Sequence, residues 1–110
     1  VEAMKHFGTR IKKLHQKDLV KDSKNPVNMF DIVGKDTIID QKLWVGTKCN
    51  DDFTEIGYGC MDIQSIIDTA NKIGSMDYII LEQDATKLNQ LESVKRSMEG
   101  FHKFGGIVWE

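Results

Sequence analysis

Apolar residues recur at helical spacing in three stretches of this chain. Val1, Met4 and Phe7 stand three apart, and Gly8 follows them where a helix end favours glycine. That opening segment reads as the last turns of a helix. Ile63, Ile66, Ile67, Ala70 and Ile73 fall on one face of a second helix, with Asp62 as its N-cap and Gly74 as its stop. Asn89 caps a third, with Glu92 at the capping-box position. Its predicted buried stripe is Leu91, Val94, Met98, Phe101 and Phe104, and Gly105-Gly106 ends it.

Two stretches read as strands. Ile11 to His15 alternates weakly. Tyr78-Ile79-Ile80-Leu81 is a continuous apolar run, the pattern of a strand buried on both faces. It stops abruptly on Glu82-Gln83-Asp84.

Between Leu19 and Thr54 the pattern weakens. Asn25-Pro26, Gly34-Lys35-Asp36 and Asn50-Asp51-Asp52 are turn signals. Val27 to Val33 could form one or two helical turns, and Thr37 to Val45 a short helix. A connection this long is unusual in a compact domain and often serves as a lid or binding loop. Glu55-Ile56-Gly57-Tyr58-Gly59 then forms a loop punctuated by glycine.

The element order is helix, strand, long loop, helix, strand, helix. Strands alternating with helices imply βαβ units and a parallel sheet. Two strands are too few for an independent α/β domain. The chain therefore reads as the tail of a larger fold, or as a protomer completed by a partner.

Composition narrows this further. The chain has 110 residues, the size of one small domain, and no second domain is expected. Hydrophobic residues make up 40% and charged residues 29%, a globular balance. A net charge of -2 gives no field to steer nucleic acid or an anionic membrane surface. No apolar run approaches the roughly 20 residues that span a bilayer. No signal peptide is visible, so a cytoplasmic location is expected. Cys49 and Cys60 fit neither a CxxC nor a zinc-knuckle spacing. A disulfide between them is geometrically possible, and two reduced thiols are the default.

In parallel α/β folds the chemistry sits at the carboxyl ends of the strands. The first strand delivers His15, Lys17 and Asp18 there, and the second Glu82 and Asp84. An imidazole and a carboxylate on neighbouring strands suit a divalent ion such as manganese, zinc, iron or cobalt. The competing reading is a solvated histidine and a salt-bridged glutamate. Glu55, Gly57 and Gly59 make ExGxG, a weak phosphate-cradle signal; the glycines fit a tight loop equally well, and Glu55 could touch a polar substrate. Lys12 and Lys13 read as solvated, and His6 and His102 as surface residues. Trp44 is a candidate sugar platform or a loop-packing residue.

The stretches "RIKKLHQKD", "FTEIGYG", "DIQSIIDTANKIGSMDYIILEQD" and "LESVKRSMEGFHKFGGI" together resemble the C-terminal part of sugar phosphate isomerases/epimerases of the xylose isomerase-like TIM-barrel superfamily. The resemblance implies a fold: residues 1–110 would be the βαβα portion of a (β/α)8 barrel, from the end of the sixth helix through the eighth. It implies that His15 and Glu82 bind a divalent metal (manganese, zinc, cobalt, iron or magnesium). Glu82 would also be an acid/base carboxylate. Lys17, Asp18 and Glu55 would lie near the substrate, a sugar or sugar phosphate.

The implied reaction is proton transfer next to a carbonyl. A divalent cation would stabilise the developing negative charge while carboxylates remove and return the proton. The chain departs from the family in two respects. A barrel of this type needs about 250 residues, and the remaining metal ligands of the middle strands are absent. The loop before Glu55 is also long. Pairing with the missing part of the barrel, or self-association, is therefore expected. The alternative is a fragment or assembly module inactive as an isolated chain.

Overall fold

A computed structural model describes residues 1–21, 33–41 and 52–109. Over these the chain is mixed α/β. The elements are α1 (Glu2–Phe7), a 3-10 turn (Gly8–Arg10), β1 (Lys13–Gln16), β2 (Asp18–Leu19), β3 (Phe53–Thr54), α2 (Ile63–Ile73), β4 (Tyr78–Leu81) and α3 (Gln90–Phe101). Among the described residues no helix is long and apolar enough to cross a membrane.

β1 and β4 pair in parallel, with Lys13 opposite Tyr78 and Gln16 opposite Leu81. The ladder runs on beyond both strands. Asp77 N donates to Lys12 O at 3.2 Å, and Glu82 N to Gln16 O at 3.0 Å. The last of these bonds sets Glu82 beside the end of β1. β2 and β3 form an antiparallel pair, Asp18 opposite Thr54 and Leu19 opposite Phe53. Val20 N donates to Asp52 O at 2.9 Å, which closes the base of the long connection.

The helix ends follow from their caps. Asp62 accepts from Ser65 N at 3.1 Å and from Ser65 Oγ at 2.7 Å. Gly74 ends α2 in the left-handed region, φ 68°. Asn89 accepts from Leu91 N at 2.9 Å and so opens α3. These side chains satisfy N–H groups that a helix start leaves without partners.

Ile63 and Ile67 of α2 are buried with Ile56 and Phe101, and Ile79, Leu81, Phe104 and Ile107 pack around them. Each isoleucine fully withdrawn from water contributes roughly 1.5–3 kcal/mol. α1 rests on α2 through its buried Met4.

Two expectations need correction. β4 is not buried on both faces: Ile79 and Leu81 turn to the core, while Tyr78 is 64% and Ile80 38% exposed. With two strands and helices packed over one side, the other face of the sheet has no cover among the described residues.

The stripe expected on α3 is also displaced. Leu91, Val94 and Met98 are exposed, and the buried residues are Ser93, Ser97, Gly100 and Phe101. The cause is a close backbone approach. A Cβ on Gly100 would overlap the Ile56 carbonyl, and Ser97 Oγ accepts from Ile56 N at 3.2 Å. Only small side chains permit that contact, so it overrides the apolar stripe in choosing which face turns inward.

Thr37 to Asp40 is irregular, following a turn in which Thr37 N donates to Gly34 O at 3.0 Å. Of the helical turns expected from Val27 to Val33, only Val33 is described, and it is irregular; the rest, the remainder of the 37–45 helix beyond Gln41, Trp44 and Cys49 lie outside the described residues. Cys60 is an exposed free thiol.

Candidate functional site at the ends of β1 and β4

Strand alternation sorts the candidate residues before any contact is considered. Successive side chains point to opposite faces of a sheet. Lys13, His15, Tyr78 and Ile80 share the exposed face, and Leu14, Gln16, Ile79 and Leu81 share the covered one. Carried on past the strand ends at the same two-residue interval, the exposed face receives Lys17, Glu82 and Asp84. Asp18 falls on the covered face.

The contacts follow that division. His15 Nδ1 meets Glu82 Oε2 in a hydrogen bond, although the residues lie 67 positions apart in sequence. Lys17 Nζ lies 3.0 Å from Glu82 Oε1 and 3.0 Å from Asp84 Oδ2. One ammonium thus bridges two carboxylates, while the second oxygen of Glu82 faces the imidazole. Lys17 Nζ is also 5.7 Å from the centre of the Phe53 ring.

Electrostatics match this geometry. The Lys17 hydrogen bond is the chief cause holding the Glu82 carboxyl below its usual range; desolvation opposes it, and His15 adds to the lowering. For Lys17, burial favours the neutral amine, but its bonds to Glu82 and Asp84 outweigh burial and raise its pKa. Both groups are held in their charged forms.

Asp18 and Glu55, expected beside the substrate, turn into the protein. Asp18 is 2% exposed. Its Oδ2 accepts from Gly57 N at 2.9 Å and Gly59 N at 3.0 Å, and its Oδ1 from Leu19 N at 2.9 Å and Met61 N at 3.2 Å. Four backbone amides converge on this one carboxylate, as in an anion-binding nest. Gly57 has φ +79°, a backbone conformation favouring glycine. A Cβ on Gly59 would collide with Asp18 and the Leu19 carbonyl. The glycines of ExGxG thus shape a tight loop around Asp18.

Glu55 is likewise buried, and its Oε1 accepts from Thr86 Oγ1 at 2.7 Å, Ser93 Oγ at 2.9 Å and Gln83 Nε2 at 3.3 Å. Burial alone would raise its pKa, but these bonds together lower it. Glu55 therefore ties the loop to the segment that carries Glu82 and Asp84. The loop braces both strand ends, through Asp18 on one side and Gln83 on the other.

Sequence reasoning passed over Gln83, Thr86, Ser93, Ser97 and Gly100. The serines, four apart on one helix face with a glycine three further on, were the available signal. His6 and His102 are exposed, His102 stacking on Trp109 with ring centres 4.0 Å apart.

His15 and Glu82 offer an imidazole and a carboxylate converging on one point, a donor set that fits a borderline divalent ion. Among the described residues no group of three or more His, Cys, Asp or Glu side chains is placed to share an ion. Further ligands would come from outside them. Comparison with protein-family models, curated proteins and solved structures yields no match.

Proposed function

We propose that this chain is the C-terminal βαβα portion of a (β/α)8 barrel, in a divalent-metal-dependent isomerase or epimerase of a sugar or sugar phosphate. The observation that carries the reading is the meeting of His15 and Glu82 at the carboxyl ends of paired parallel strands. That is where α/β folds place their chemistry.

In this reading His15 and Glu82 contribute two ligands to manganese, zinc, cobalt, iron or magnesium. A cation held there would supply Lewis-acid polarisation of the substrate carbonyl. Glu82, kept ionised by Lys17, is the acid/base group for the carbon-bound proton. Lys17 stands at the mouth of the site, and Asp18 and Glu55 act on it through the loop they hold. Catalytic metal sites commonly use three protein ligands, so the 110-residue chain alone is inactive until the rest of the barrel joins it. The uncovered face bearing Tyr78 and Ile80 is where that remainder packs.

The test is Glu82→Gln in the protein carrying this chain, scored by turnover and by exchange of the substrate's carbon-bound proton with deuterated water. Both should fall by at least 100-fold while the circular dichroism spectrum is retained. Unchanged exchange would remove Glu82 from the chemistry.

A further inference from the structure

Lys17 stands between two carboxylates at the strand ends. Its ammonium sits 3.0 Å from Glu82 Oε1 and 3.0 Å from Asp84 Oδ2, with its side chain 29% exposed. Without Lys17, the carboxylates of Glu82 and Asp84 would face each other across this gap. A positive charge held between them is what a bound cation would provide. We propose that Lys17 is a tethered counter-cation of this site, which occupies Glu82 and competes with a divalent ion for it. The proposal rests on the metal-site reading above.

The physical argument is one of charge and geometry. A divalent ion held by Glu82 and His15 would come close to the Lys17 ammonium, which already contacts Glu82. Like charges that close repel by more than thermal energy even in a water-like dielectric. Two relations follow. The ion binds less tightly than its ligands alone would allow. Occupancy also weakens the hold of Lys17 on Glu82 and leaves the ammonium on Asp84, its second anchor. The lysine offsets one of the two carboxylate charges in the absence of metal and makes the ion exchangeable.

The experiment measures manganese(II) affinity by electron paramagnetic resonance titration of the protein carrying this chain, alongside Lys17→Met, Lys17→Arg and His15→Ala variants. Lys17→Met should bind manganese about tenfold more tightly or better, because repulsion and competition are both removed. Lys17→Arg keeps the charge and should stay within about threefold of the parent. Equal or weaker binding by a folded Lys17→Met variant overturns the proposal. His15→Ala separates this outcome from failure of the metal site itself. If that variant and the parent bind manganese equally, the metal reading falls, whatever Lys17 does. Amide spectra reporting the β1–β4 ladder identify variants that have lost the fold.

Discussion

Asp18 and Gly59 meet across 41 residues of sequence, the buried carboxylate accepting a hydrogen bond from the glycine amide at 3.0 Å. That contact belongs to a set of four amides on one carboxylate. Replacing Asp18 by Asn should destabilise the fold by roughly 2–4 kcal/mol, because an amide NH2 would then oppose backbone donors. Urea unfolding of the variant measures this. A cost under about 0.5 kcal/mol would show that the loop is held in some other way.

The close approach of α3 to the loop makes Gly100 a sharper test. Gly100→Ala puts a methyl group into the Ile56 carbonyl, with backbone on both sides and no flexible side chain to yield. The expected cost is about 1–3 kcal/mol or more. Ordinary helix propensity would instead predict a gain, since Ala is the better helix former by about 1 kcal/mol. The sign of the change in melting temperature decides between the two.

Exposure along α3 gives a paired prediction. Leu91→Ser, at a position 79% exposed, should change stability by no more than about 0.5 kcal/mol. Phe101→Ala, at a position 3% exposed, should cost about 3–5 kcal/mol. Chemical denaturation of the two variants checks the orientation of the helix.

The strand-end ion pairs predict a pH dependence. The Glu82 carboxyl is lowered in the folded protein. Its contribution is therefore present above the ordinary glutamate value of about 4.3 and lost as pH falls through the lower folded value. Lys17 is raised. Its contribution is present below the ordinary lysine value of about 10.4 and lost as pH rises through the higher folded value. The stability difference between the parent and Glu82→Gln should be greatest between these limits and close in acid. Side-chain carbon shifts of Glu82 across an acid titration would show an unlowered midpoint if Lys17 does not hold it.

The elements of this fold were legible where local signals and tertiary packing agree. Asp62, Gly74 and Asn89 mark helix ends through bonds with their immediate neighbours, so the letters suffice. The parallel pairing of β1 with β4 was legible from element order. The inward face of α3 was not. Leu91, Val94 and Met98 look like a core stripe because hydrophobicity is the usual arbiter, whereas a backbone contact from the loop decides here. The site divides similarly. His15, Lys17 and Glu82 were legible as strand-end residues. Asp18, one position out of phase with them, was read with the wrong neighbours, although alternation alone puts it on the other face. For Glu55 a substrate contact stayed open beside a purely structural role, because its donors, Thr86 and Ser93, lie more than thirty positions away.

The separation of β1 from β4 also bears on how the protein reaches this state. His15 and Glu82 lie 67 positions apart, so the parallel ladder cannot form until most of the chain has been gathered. Loop-closure entropy opposes that step, and non-local parallel pairing is slow for this reason. α2 and α3, capped by their own neighbours, can form early, while the β1–β4 seam is completed late. The two candidate ligands meet only across that seam. On that physical ground the meeting of His15 and Glu82 is expected to follow the helices, and a nascent chain would carry α2 and α3 before its strand-end cluster is assembled.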